Sequence, residues 1–447
     1  MSQDQNGEEK VCDPFEIALK SMFLGPQAEN APWILELLNG VFLEWVRWRR
    51  SLYPADGCAI SPEDQSSFQF EARKDQFRLL TTELMSRFEK EVPKFSPRYI
   101  GHMFSEFSLP ALVGHIATLL HNPNNISGES SRVGIGLEHE AIGFLGKMVG
   151  FDTEEAEGHF TSGGTVANLE ALIRAHSRCA LWLSAVATQT DALGEGKFRA
   201  FRAAHIGWDY FESVRISLQS RSIPDSHLTR WNLAHSNPFE VSRKLERLSG
   251  IKFQGPVILV PENMHYSWKK GAHLIGIGAG SLWPVKLDRY GRLSIESLRA
   301  LVERAGAEDR PVLMVVSVAG TTELGTVDGV GAVQDLLDEW KNKGVHIWHH
   351  VDAAYGGFFC SLNLDDRSVV SPDIAADLRA IARVNSVTLD PHKLGYVPYS
   401  SGAFISRKHR DYFFSSFEDV PYIDFRSKRD RGPYTLEGSR SAAGAVA

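Results

Sequence analysis

Residues 331–358, GAVQDLLDEWKNKGVHIWHHVDAAYGGF, decide how the chain is built. Residues 331–344 read as a helix and 345–351, VHIWHHV, as a short, apolar, β-branched strand. The strand runs out at Asp352 into small residues, Ala353-Ala354 and then Gly356-Gly357. The same alternation continues on both sides. PVILV (256–260), PVLMVVSV (311–318) and VNSVTL (384–389) read as strands, and GRLSIESLRALVERA (291–305) as a helix. Strands that are apolar throughout and spaced by helices imply βαβ units. The expected fold is therefore α/β, a mainly parallel mixed sheet covered by helices on both faces. Ligands of such sheets sit at the carboxyl ends of the strands.

Outside that region the pattern differs. Residues 1–95 read as a mostly helical segment ending in FEKEVPKFSPRYIGH, where two prolines punctuate the chain. Residues 32–52, PWILELLNGVFLEWVRWRRSL, form an amphipathic stretch suited to docking on a partner subunit. The expected division is 1–95 for the helical segment, 96–425 for a large ligand-binding domain and 426–447 for the start of a third region.

The 447 residues are 43% hydrophobic and 23% charged, a globular balance, and the net charge of -7 argues against nucleic acid as the main partner. Cys12, Cys58, Cys179 and Cys360 lie far apart without metal-type spacing and read as free thiols of a reducing compartment. The polar, acidic start resembles no secretory or transit signal, and no apolar run reaches the about 20 residues that span a bilayer. A cytoplasmic location is expected.

Five stretches stand at strand ends. GHFTSGGTVANLEALIRA (158–175) places a small-residue turn before an amphipathic helix, so Gly164 and Thr165 could cradle a phosphate. The plainer reading is a turn with Thr165 as helix cap. Asp352 could hold a cationic ring nitrogen, with Ala354 leaving room for a flat ring, or could be a capping carboxylate. His346, His349 and His350 raise the question of a metal, but strand alternation sends His349 and His350 to opposite faces, and none is expected. His265, in PENMHYSWKKGAHLIG (261–276), could stack on a ring, relay a proton or be structural. Thr321 and Thr322 offer hydroxyls in SVAGTTELGTVD (317–328). Finally, SVTLDPHKLGYVP (386–398) presents His392 and Lys393 after a buried strand, where an amine's charge must be solvated or used. A phosphate cup, an acid, a stacking imidazole and an amine are together what pyridoxal 5'-phosphate needs.

From about residue 90 onward the chain resembles the group II pyridoxal phosphate-dependent amino acid decarboxylases of fold type I. The resemblance rests on TSGGTVANLEAL, MHYSWKKGAHLIG, HVDAAYGG and DPHKLGYVPYSSGAF in that order. It implies that Lys393 carries the cofactor covalently and that His392 neighbours its phosphate. It also implies that Asp352 pairs with the ring nitrogen, with Ala354 under the ring and His265 stacked on it. Asp390 stands where Asn or Ser is common and is left unassigned.

PHKLGYVPYSSGAF and GPYTLEGSRS look most like microbial tyrosine decarboxylases, as do RYIGHMFSE (98–106) and HNPNN (121–125). The implied activity is decarboxylation of an L-amino acid, tyrosine first, by a homodimer, with Tyr434 returning the proton and Tyr422 as its rival. Glutamate, aspartate or tryptophan as substrate, or another carbon–carbon lyase reaction, fits the same motifs. The family continues past LEGSRS into a smaller domain, whereas this sequence stops at Ala447. A truncated, inactive paralogue is the remaining alternative.

Overall fold

The computed structural model describes residues 13–101, 103, 106–194, 197–414 and 430–447. It divides into two compact units, Met1–His121 and Asn122–Ala447. In the first unit the helix Leu109–His121 packs against the helix Ala31–Leu52. The entry into the longer helix is fixed by Asn30, whose Nδ2 donates to Phe23 O at 2.6 Å. In that helix only Ile34 is buried. The helix Phe68–Phe88 starts at Ser67, whose Oγ accepts from Phe70 N–H at 3.3 Å, and it buries no residue.

The second unit is built on a seven-stranded sheet. In chain order its strands are β1 (Glu157–Thr161), β2 (Val257–Pro261), β3 (Leu282–Val285), β4 (Val312–Val318), β5 (Trp348–Asp352), β6 (Ser386–Leu389) and β7 (Gly402–Ser406). Their spatial order is β1-β7-β6-β5-β4-β2-β3. The run β6-β5-β4-β2-β3 is parallel, and β7 lies antiparallel to both β6 and β1. The mainly parallel mixed sheet expected from the sequence is the one observed. The expected strand at 345 begins at Trp348, and β1, β3 and β7 are additional.

Side-chain alternation along the strands feeds two layers of core. Ile258, Val260, Met314, Val316, Trp348 and Phe404 face the helices Gly164–Leu193, Pro238–Ser249 and Ser267–Leu274. Leu259, Val315, Val351, Val387 and Ile405 face the opposite side, covered by Gly134–Met148, Ile295–Ala307, Val330–Asn342 and Pro372–Ala380. Each fully buried Val, Leu or Ile contributes about 1.5–3 kcal/mol relative to exposure, which is why these strands carry apolar residues on both faces.

The two histidines of β5 follow the same rule. His349 Nε2 lies 2.9 Å from Ser317 Oγ and its Nδ1 2.9 Å from Gln334 Oε1. On the other face, His350 Nδ1 lies 2.8 Å from Ser386 Oγ, and its Nε2 3.3 Å from Asn168 Oδ1. Burial holds both imidazoles down at about 3, so they are neutral packing groups.

Residues 430–447 pack on this unit. Arg431 pairs with Glu157 at 2.7 Å and Arg440 with Glu138 at 3.0 Å. Asp430 Oδ1 accepts from Gly128 N–H at 2.6 Å.

Candidate active site

The site lies where β5 and β6 end and the helix Gly164–Leu193 begins. Thr161 closes β1, and Ser162-Gly163 turns the chain into the helix. Gly163 occupies the N-cap position and has no side chain to cap with; Thr165 sits in the first helical turn, and the Asp390 carboxylate faces the Gly164 N–H. The helix start is glycine-bound for steric reasons. A Cβ on Gly164 would lie 2.6 Å from Asp390 Oδ2, and one on Gly402 would lie 2.5 Å from the Gly163 carbonyl carbon. Three chain segments therefore meet at this turn with no room for side chains. A helix N-terminus with close-approaching backbone is an anion cradle. Ser162 N–H donates to Glu437 Oε2 at 3.1 Å, so a carboxylate already uses the turn's edge.

Asp352 ends β5 on the face that carries His350 and is 6% exposed. Asn168 Nδ2 donates to its Oδ2 at 2.7 Å. The same Nδ2 donates to Ser267 Oγ at 3.0 Å, and Ser267 Oγ lies 2.9 Å from His265 Nδ1. Ser267 N–H also donates to that Nδ1, at 3.2 Å, which leaves the imidazole proton on Nε2. Burial lowers the His265 pKa; Asp352 raises it, and Lys393 and Lys270 lower it further. His265, Ser267, Asn168 and Asp352 are thus one polar string. Asn168 and Ser267 were not among the residues expected from sequence.

Lys393 follows β6 and is mostly buried. Its Nζ stands 3.0 Å from Asp390 Oδ2. His392 stacks on Tyr399 with ring centroids 4.0 Å apart. Its Nδ1 accepts from Ser401 N–H at 3.1 Å, so its proton is on Nε2, 3.6 Å from Asp390 Oδ2. Burial, then the nearby Lys393, holds His392 down at about 4. Ala354 is half-buried between these elements, and its carbonyl accepts from Asp390 N–H at 3.1 Å.

Two expected residues stand apart from this group. Thr322 is exposed on the turn after β4; the buried hydroxyl there is Thr321, 2.8 Å from Thr326 Oγ1. The ring of Tyr434 packs on Phe413 at 4.8 Å and Tyr412 at 6.1 Å, and its carbonyl accepts from Arg174 Nη2 at 2.6 Å. Among the described residues Tyr434 makes no hydrogen bond with Lys393, His265 or Asp352. Tyr422, with 102 and 104–105 of the RYIGHMFSE stretch, lies outside the described residues.

These residues fit pyridoxal phosphate on geometry alone. The glycine turn is a cradle that a Cβ would fill, and a carboxylate is held by an amide donor. An amine sits at a buried strand end.

Comparison with known proteins agrees. The pyridoxal-dependent decarboxylase conserved domain matches residues 243–444. L-tyrosine decarboxylase of Levilactobacillus brevis is 32% identical, covering 96% of this chain and 70% of that protein. Aspartate 1-decarboxylase of Aliivibrio fischeri is 28% identical over 77% of this chain and 53% of its own length. The crystal structure of mouse CSAD superposes with a TM-score of 0.55 at 21% identity, covering 94% of this chain and 73% of that one. On this evidence the chain belongs to the pyridoxal-dependent decarboxylase family.

Proposed function

We propose that the chain removes CO2 from an aromatic L-amino acid, tyrosine foremost, with pyridoxal phosphate held at the site just described. The observation that carries the reading is the convergence of Lys393, Asp352 and His265 beside a glycine-lined helix N-terminus. Tyrosine is favoured because the similarity to a tyrosine decarboxylase runs through 96% of the chain, against 77% for the aspartate enzyme.

When bound, the cofactor supplies an electron sink for the pair left at Cα as CO2 departs. The protein's own groups do the rest. Gly164 and Thr165 hold the phosphate with backbone N–H groups, His392 neighbours it, and Lys393 is the covalent attachment point. Asp352, fixed by Asn168, keeps positive charge on the ring nitrogen, and Ala354 leaves space for the ring. His265 covers the ring and carries its proton on Nε2. Of the three candidate proton donors for Cα it is the one favoured, because the Tyr434 ring packs on Tyr412 and Phe413 away from Lys393 and Asp352, and Tyr422 lies outside the described residues. Thr322 is kept only as an outer contact.

The 96–425 region is read as the cofactor-binding domain and 426–447 as the lead into a further one. A cytosolic homodimer is the state proposed. Leu35, Phe42, Leu43 and Trp48 of the helix Ala31–Leu52 are exposed and apolar, as a subunit contact needs. No helix among the described residues is long and apolar enough to cross a membrane.

The test is amine and CO2 release from tyrosine by the purified chain with added cofactor. Tyramine is expected from the wild type, with turnover lost in Lys393→Ala. Amine from aspartate alone would move the substrate and keep the chemistry, whereas no amine from any amino acid would overturn the reading.

A further inference from the structure

Asp390 has no role in the reading above, yet it stands at the centre of the site. Its side chain is nearly fully buried, with Oδ2 3.0 Å from Lys393 Nζ and 3.6 Å from His392 Nε2. The 2.6 Å between Oδ2 and the position of a Cβ on Gly164 puts this carboxyl against the start of the helix. A phosphate monoester, which carries about -1.5 to -2 charge at neutral pH, would bind at that same helix start. Two anions this close in a buried place repel strongly, and the Lys393 amine is then shared between both.

We propose that Asp390 positions the Lys393 amine and, when a phosphate ester occupies the Gly163–Gly164 turn, exchanges that ion pair for a proton, so that cofactor binding takes up a proton at this carboxyl. The inference rests on the cofactor reading. The groups facing Asp390 are Lys393 and His392 from its own turn, the Gly164 backbone from the helix, and Asp352 from β5. Burial already holds the acid up at about 6, although Lys393 alongside lowers it. His392, held down at about 4, is neutral through the range in question. The sign follows from linkage. An acid whose pKa rises on binding takes up a proton between its free and bound values, so affinity falls as pH climbs above about 6.

The probe is pyridoxamine 5'-phosphate, which lacks the aldehyde and binds without a covalent bond. Its dissociation constant is measured by equilibrium dialysis from about pH 6 to about pH 8 for the full chain and for Asp390→Asn. The ionisations of the probe are common to both proteins and cancel in the ratio. The wild-type constant divided by the variant's is expected to climb with pH, by up to about tenfold per unit. Asp390→Ser should give the same profile. Should both variants misfold, the infrared difference spectrum of the wild type must gain a protonated-carboxyl band on binding. A flat ratio, or no such band, overturns the proposal. If pyridoxal phosphate and borohydride label Lys393 while the ratio stays flat, only this proposal fails. If neither compound binds, the cofactor reading fails and takes the proposal with it.

Discussion

Asn168 is the residue on which the geometry of the acid depends. A carboxylate 6% exposed needs donors, and Asn168 Nδ2 supplies one at 2.7 Å while also reaching Ser267. Replacing it by Ala leaves Asp352, among the described residues, with one weak hydrogen bond, from the Ala354 N–H at 3.4 Å. Asn168→Ala should therefore lower stability by about 1–3 kcal/mol and weaken cofactor binding, read by urea denaturation and dialysis. Unchanged values in both would show that Asp352 is held by something else. The sequence named Asp352, His265, Lys393 and the glycine turn because each residue type is unusual at the end of an apolar strand. It could not name Asn168, since a polar residue in a helix normally reads as solvent-facing, and its partner lies 184 residues away. Tyr434 is the opposite case. Its place in a motif pointed to the reaction, while its ring stands among Tyr412 and Phe413.

Among the elements, β7 does the most to shape the cup. It enters between β1 and β6 with Thr161 opposite Gly402 and Leu389 opposite Ala403, so the two strand ends that feed the site are tied by one short strand. Gly402 is the point of closest approach to the turn. Gly402→Ala is expected to cost about 1–3 kcal/mol through overpacking and to push the turn enough to lower cofactor affinity at least tenfold. Thermal melting and dialysis check it, and a variant equal to wild type in both would mean that the turn yields freely. Strands β2, β4, β5 and β6 were legible as apolar runs. β1 (EGHFT), β3 (LWPV) and β7 (GAFIS) are short and broken by Gly, Pro or charge, so periodicity alone misses them. Their pairing is fixed by neighbours far away in the chain. In β1 the charge of Glu157 is absorbed by Arg431, which no local pattern announces.

At the scale of the molecule, the parallel strands place every residue of the proposed chemistry at one end of a single sheet. Only packing on both faces by helices makes that arrangement stable. The class of fold was legible because strands buried on both sides must be apolar throughout. Lys393 is the proposed covalent anchor of pyridoxal phosphate, on which every other role at the site depends. The direct measurement is borohydride reduction of the purified chain after incubation with the cofactor, followed by peptide mapping. A single pyridoxyl label at Lys393, absent in Lys393→Ala and weakened in Asn168→Ala, is the predicted result. A folded chain with no label, or with the label on another lysine, would contradict the account.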